Sequence, residues 1–399
     1  MVRDELTVNK LTLKKEYGGY AYSINAINKS ERGVPFQKNV RNSNLELYRI
    51  IVMLLIVAHH YVTNSGLGEC ISQNPLSANS LFYLLFGAWG KTGINCFVLI
   101  TGYFMCKSEI TLRKFLKLFL WVITYSIIIT GIFTISGYHP EGLLKMWVSQ
   151  IPLRNITTGF TSCFLMFYLC IPFLNILIRN MSKRQHFWII ILLLFIYTLH
   201  GSIPYLSVSM NYVSWFATLY FISAYLRLYP MKRDGDAKFW GWMTVLSWGL
   251  SVISILCCYF AQYKFIGSVG TGLSYFFISD SNAILALTNG ITSFMWFKNL
   301  KIKNSKLINT IAASSFGVLL IHANSDTMRH WLWKDTIDCV GHYSTDFYWL
   351  YAIGCVLVIY AVCTIIDIIR IKTIETPLLN ATERLCNNVW SSVKLKFSI

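Results

Sequence analysis

Residues 45–62 read LELYRIIVMLLIVAHHYV. Roughly 20 predominantly apolar residues are what a helix needs to cross the hydrocarbon core of a bilayer. This stretch meets that length, with Arg49 near its start and the pair His59–His60 near its end. Working outward from it, nine more stretches of the same kind follow. The predicted spans are 45–63, 81–104, 115–136, 160–178, 187–203, 213–229, 239–260, 283–300, 306–323 and 347–369, the fifth and sixth being short. The reading is all-α: a polytopic transmembrane helical bundle of about ten spans. Between the third and fourth spans, 137–159 reads as an outer loop with a surface helix around Met146–Val148.

Composition points the same way. The 399 residues are 55% apolar and 13% charged, whereas soluble globular chains carry about 25% charged residues. A soluble core of that size would still need a charged surface around it. The aromatic share is 16%, with 13 Trp and 23 Tyr, which suits two membrane–water interfaces. A net charge of +17 suggests nucleic acid in a soluble protein, but here its placement argues otherwise. With the N-terminus in the cytoplasm, 29 of the 35 Lys and Arg fall in inner segments. Five (Lys145, Arg154, Lys264, Arg329 and Lys334) fall in outer loops, and Lys91 lies within a span. The reverse orientation would oppose the positive-inside bias. Both termini are therefore expected in the cytoplasm, with the basic ends facing membrane lipid. The expected organisation is a polar, basic tail at 1–44, a membrane domain at 45–380 and a short tail at 381–399.

Ionisable groups at membrane depth are costly and mark function by default. Eleven residues separate Arg49 from His60, three helical turns plus ~20°, so the two share a face ~16 Å apart along the axis. His59 is expected to point about 80° away from Arg49. The alternative is that Arg49 and His60 only snorkel to the two headgroup layers. His322 lies at a depth like that of His60 in another outward-running helix, which suggests a shared polar cavity on the outer side. Lys91 and Asn95 fall one turn apart on one face of the second span. No HxxxH, HExxH, CxxC or close carboxylate pair accompanies the histidines, so no metal site is expected. Of the 11 cysteines, only Cys70 and Cys339 fall in predicted outer loops. They read as two free thiols or one disulfide.

Four stretches together resemble a known family. RNSNLELYRIIVMLLIVAHHYV carries an Arg-x10-His pair at Arg49 and His60. GINCFVLITGYFM is similar to an FFxxSGYF segment, SSFGVLLIHAN at 314–324 to SFGxYLIH, and IDIIRIKTIETPL at 366–378 to a closing IExP segment. These are marks of the acyltransferase family 3 membrane proteins. FLMFYLCIPFLNILI and LYFISAYLRLYP look like middle helices of the capsule- and exopolysaccharide-associated branch.

The resemblance spans about 45–380 and implies O-acylation of bacterial surface polysaccharides at the inner membrane. The donor would be acetyl-CoA as co-substrate, and the acceptor a polysaccharide or lipid-linked glycan. On this reading His60 and Arg49 are catalytic, while Arg49, Arg113, Lys114 and Lys117 meet the phosphates of coenzyme A. Lys91, Asn95, Ser315 and His322 serve the acceptor, with His322 assisting acceptor binding or orienting His60. The basic cluster here reads RKFLK where relatives often carry R-x-x-R, and a Lys ammonium lacks the bidentate fork of Arg. A glycolipid transporter or flippase accounts equally well for ten spans and midplane polar groups, but not for the four segments in order.

Overall fold

The computed structural model describes residues 42–157, 159–203, 206 and 208–397, with side chains described as far as Cys386. Most of the predicted 1–44 tail lies outside the described residues. Among those residues the secondary structure is helical, without strands. The chain runs α1 (Ser43–Thr63), α2 (Leu67–Gln73), α3 (Ala78–Phe86), α4 (Gly90–Met105) and α5 (Leu112–Ser136). Then come α6 (Leu143–Ser149), α7 (Phe160–Asn180), α8 (Lys183–Leu194), α9 (Tyr212–Leu228), α10 (Ala237–Ile266) and α11 (Ile284–Asn299). It closes with α12 (Lys306–Ala313), α13 (Ser315–His322), α14 (Asp326–His330), α15 (Tyr348–Arg370) and α16 (Thr376–Phe397). The surface helix expected around Met146–Val148 is α6.

All ten predicted stretches are helical, but they differ in reach. Among the described residues six helices are long and apolar enough to cross a membrane. They are Ser43–Thr63, Ala78–Met105, Leu112–Ser136, Phe160–Asn180, Ala237–Ile266 and Tyr348–Cys386. A seventh arises if Lys306–His322 and Asp326–Thr336, which meet at a 93° bend, are one span. The other three fall short as regular helix. α8 gives 12 residues before a π-helical stretch at Phe195–Leu199, α9 has 17 and α11 has 16. At 1.5 Å per residue, helices of that length reach ~18–26 Å, less than the ~30 Å core.

The first helix sits at the centre. α1 packs against α3, α4, α11, α12, α13 and α15, and Val52, Met53, Val57 and Tyr61 along it are fully buried. α9 joins α4 to α7, and α5 joins α7 to α13 and α16. The perimeter carries exposed apolar residues, such as Ile132 and Ile135 on α5, Trp242 and Val245 on α10, and Val358 and Ile365 on α15. In water such a surface would be an aggregation liability; facing lipid it has a solvent of its own kind.

Among the described residues, the Lys- and Arg-rich segments converge at one end of the bundle, as side-chain contacts establish. Asn44 donates to the carbonyls of Phe297, Lys298 and Leu300 at 2.8, 2.9 and 3.1 Å, closing the C-terminus of α11. Lys298 pairs with Asp234 at 2.6 Å, and Arg227 donates to the Tyr103 hydroxyl at 2.6 Å. Asn175 donates to the carbonyls of Met105 and Ser108, Lys114 to the Ser108 hydroxyl, and Lys117 pairs with Glu375. Four helices start from this basic end, each with a side-chain cap. Thr111, Ser182, Asp236 and Ser305 accept from the backbone N–H of Lys114, Gln185, Phe239 and Ile308. At the far end α5 and α10 stop at Gly137 and Gly267, whose φ of 72° and 76° are left-handed values that favour glycine.

Candidate active site

A cavity of about 890 Å³ opens at the end away from the basic segments. Its wall is built from the last turns of α1 and α13, the first turns of α4, α7 and α9, and the middle of α5. Residues 149–157 form its rim. The lining mixes apolar groups (Ile56, Val122, Leu319) with His59, His60, Lys91, Ser126, Arg154, Tyr212, Asn324, Asp326 and Arg329.

His60 lines this cavity, and the His322 ring stands against it, edge to face with centroids 5.2 Å apart. The two predicted histidines therefore meet, although they are 262 positions apart in the chain. Their positions differ. His322 is fully buried, is not part of the lining, and lies between His60 and Trp333, whose ring centroid is 6.4 Å from its own. Its Nδ1–H donates to the Val318 carbonyl at 2.6 Å, so the neutral ring keeps its lone pair on Nε2, a buried atom without a hydrogen-bond partner. Asn64, one turn beyond His60, puts its carboxamide 2.6 Å from His60 Nδ1. With the amide nitrogen toward the ring, Asn64 donates and the ring hydrogen sits on Nε2. Rotated by half a turn, its oxygen accepts from Nδ1–H and frees Nε2 as a base.

His59 lies beside His60 on α1. Its ring also lines the cavity, donates Nδ1–H to the Gly87 carbonyl at 2.6 Å, and packs on Gly90. A Cβ at Gly90 would lie 2.3 Å from the His59 ring. Neighbours ~100° apart on a helix both reach this cavity because it is wide and the α3–α4 break lies against α1.

Lys91 reaches the cavity as predicted. It donates to the Tyr212 hydroxyl at 2.6 Å, with Asp280 3.7 Å away, and Tyr212 in turn donates to Asp280. Asn95 and Ser315 do not line it. Asn95 is fully buried one turn further into α4. Its nitrogen donates to the Ser281 carbonyl at 2.7 Å and its oxygen accepts from the Trp215 indole at 2.9 Å. Both ends are spent on packing α4 against α9 and the 280 turn, which corrects its reading as an acceptor contact. Ser315 is buried at the start of α13, seven residues before His322.

The basic end holds the remaining predicted residues. Arg49 Nη1 donates to both carboxylate oxygens of Glu46 at 3.2 Å. Arg113 pairs with Glu383 and donates to Asn380, Lys114 donates to the Ser108 hydroxyl and the Glu109 carbonyl, and Lys117 pairs with Glu375 at 2.6 Å. Arg113 and Lys117 are about half exposed. Next to them lies a buried cluster that the sequence reading missed. Asp367 accepts from the Trp121 indole (3.0 Å), the Tyr125 hydroxyl (2.8 Å) and Arg370 Nε (2.8 Å). Arg370 also bonds Glu375 at 3.0 Å and stacks over Trp121. The SFG segment supplies the space, because the Asp367 carboxyl carbon occupies a point 2.3 Å from where a Cβ on Gly317 would be. Sequence offered one signal for this cluster, an Asp and an Arg one turn apart at the end of an otherwise apolar span. Cys70 and Cys339 are free thiols.

No curated protein and no solved structure matches the chain. A family model does, that of the acyltransferase 3 "Acyltransferase domain", over residues 42–368. It covers α1 to nearly the end of α15, and so takes in the cavity, both histidines, Gly317 and Asp367. A helical bundle with apolar spans, matched over most of its length by this model, belongs to acyltransferase family 3 and is a multi-pass membrane acyltransferase.

Proposed function

We propose that the chain is an O-acyltransferase of the bacterial inner membrane. It moves an acyl group, acetyl on this reading, from cytoplasmic acyl-CoA to a sugar hydroxyl of a surface polysaccharide or its lipid-linked precursor. The observation that carries the reading is the His60-lined polar cavity at the end opposite the clustered cations. Its size suits a sugar unit, since small-molecule sites run to about 300–1,000 Å³. Ten membrane crossings with both termini inside complete the picture, with α8, α9 and α11 as short crossings within the bundle. The gathering of the basic segments at one end supports this orientation.

The donor fits the basic end. Arg49, Arg113, Lys114 and Lys117 would hold its phosphates, and the thioester supplies an activated acyl carbon. The existing contacts of Arg113 and Lys117 are exposed ion pairs worth ~0–1 kcal/mol, which a phosphate displaces in exchange for charge-assisted hydrogen bonds. His60 takes the acceptor hydroxyl proton as that oxygen bonds to the acyl carbon, and returns it to sulfur as the carbon–sulfur bond breaks. Buried His322 backs the ring, and Asn64 selects its tautomer. Purified protein given labelled acetyl-CoA and a glycan acceptor should cleave the thioester and label the glycan. A transporter would leave the thioester intact.

Asn64 gives a separate test. Asn64→Asp offers only acceptor oxygens to Nδ1–H and keeps Nε2 basic, so the transfer rate should stay within about a few-fold of the parent. Asn64→Leu removes the partner and should lower kcat by roughly 10²-fold, general-base contributions being of that order. Equal rates for the two variants would remove Asn64 from the mechanism.

Orientation is tested by single cysteines in a cysteine-free background. Thr345 is exposed at the cavity end. Gly235 is exposed at the basic end with open space where a Cβ would go. Thr345→Cys should react with an impermeant thiol reagent from outside intact cells, and Gly235→Cys only after lysis. Labelling of Gly235→Cys from outside would reverse the assignment.

A further inference from the structure

Outside the basic segments the chain has six Lys or Arg: Lys91, Lys145, Arg154, Lys264, Arg329 and Lys334. Three of them, Lys91, Arg154 and Arg329, line the one cavity described above, and Asp326 is the sole carboxylate in that lining. This concentration runs against two physical tendencies. Cations are disfavoured on the face away from the cytoplasm, and like charges around one low-dielectric space repel unless something compensates them.

Internal compensation is incomplete. Lys91 is held by Tyr212 and Asp280. Arg329 Nη1 donates to Asp326 at 2.6 Å, but its Nε is buried without a partner. Arg154, on the rim, makes no ion pair among the described residues. Walls of low dielectric focus the field of such charges into the space they enclose. A neutral sugar gains nothing from that field, whereas an anionic one does.

Resting on the acyltransferase reading above, we propose that the acceptor is anionic. It carries a carboxylate or a phosphate near the acylated hydroxyl, and Arg154 and Arg329 hold that group while His60 addresses the hydroxyl. The two cations are specificity determinants for charge on the acceptor. Their forked guanidinium groups suit either oxyanion bidentately.

The test is equilibrium binding, with no acyl donor present, to the full-length protein in nanodiscs of uncharged lipid. Three probes are compared: methyl glucuronide, glucose 1-phosphate and neutral methyl glucoside. At least one anion should bind roughly tenfold tighter than the neutral glycoside, the scale of one charge-assisted contact, and the tighter of the two identifies carboxylate or phosphate as the natural group. Arg154→Gln should cut that preference to within about twofold, and high salt should weaken it. Arg329→Lys, which keeps the charge and loses the fork, should retain part of it. The proposal is overturned if both anions bind no better than methyl glucoside, if neither binds, or if the preference survives Arg154→Gln. A neutral preference alongside intact acyl transfer would sink only the charge assignment. Absent thioester cleavage would instead sink the acyltransferase reading.

Discussion

His60→Ala should lower acyl transfer by about 10³-fold, within the 10²–10⁴ range that a positioned acid–base group contributes, while the protein still inserts and accumulates. Among the described residues, His60 combines a cavity-facing imidazole, a buried histidine stacked edge-on against it, and the Asn64 amide 2.6 Å from its Nδ1. Removing the ring enlarges an existing cavity, so the usual penalty for a void in a packed core is small. His59→Ala should cost less. That ring lines the same space, but its Nδ1–H is tied to the Gly87 carbonyl and its face to Gly90, a structural anchorage of the α3–α4 break. Product label per folded protein, measured for both variants, checks the order. A well-folded His60→Ala variant with parental activity would end the catalytic assignment.

Gly317→Ala should be the most destabilising methyl group that can be added to the late helices. The new Cβ would lie 2.3 Å from the Asp367 carboxyl carbon and 2.4 and 2.7 Å from its oxygens, closer than any real contact. The carboxylate cannot retreat without giving up Trp121, Tyr125 and Arg370 together, and breaking a buried ion pair costs on the order of 3–5 kcal/mol. Gly354, in the middle of α15, is the control, because nothing lies within 4 Å of its added Cβ. Thermal unfolding in detergent should show a large fall in Tm for Gly317→Ala and little change for Gly354→Ala. Equal midpoints would mean that α13 and α15 are not packed through this glycine.

What the sequence made legible follows from the range of each signal. Hydropathy is local, and all ten stretches it picks out are helical. Helical phase is also local, and it put Arg49 and His60 on one face of α1. Depth counted along two helices brought His60 and His322 to the same level, and they are in contact. Phase does not say whether His59 also reaches the cavity, because the width of a cavity is set by other helices. It failed for Asn95, because a polar residue one turn from Lys91 serves as well for bonding Trp215 and Ser281 as for lining a site. Arg154 and Arg329 stand in the sequence as exceptions to the charge bias, and their meeting in one cavity depends on a rim loop and a 93° bend that no periodicity encodes. The membrane-crossing count was the least legible quantity, since α8, α9 and α11 are apolar enough but short.

The central claim is that a cytoplasmic thioester is consumed from the basic end of the bundle for transfer in the His60 cavity at the other. Proteoliposomes of known orientation, given labelled acetyl-CoA on one face at a time, test it most directly. The account predicts thioester cleavage only when the donor is supplied at the face carrying Arg113, Lys114 and Lys117, with loss of that cleavage in His60→Ala. Cleavage from neither face, or only from the cavity face, would contradict it.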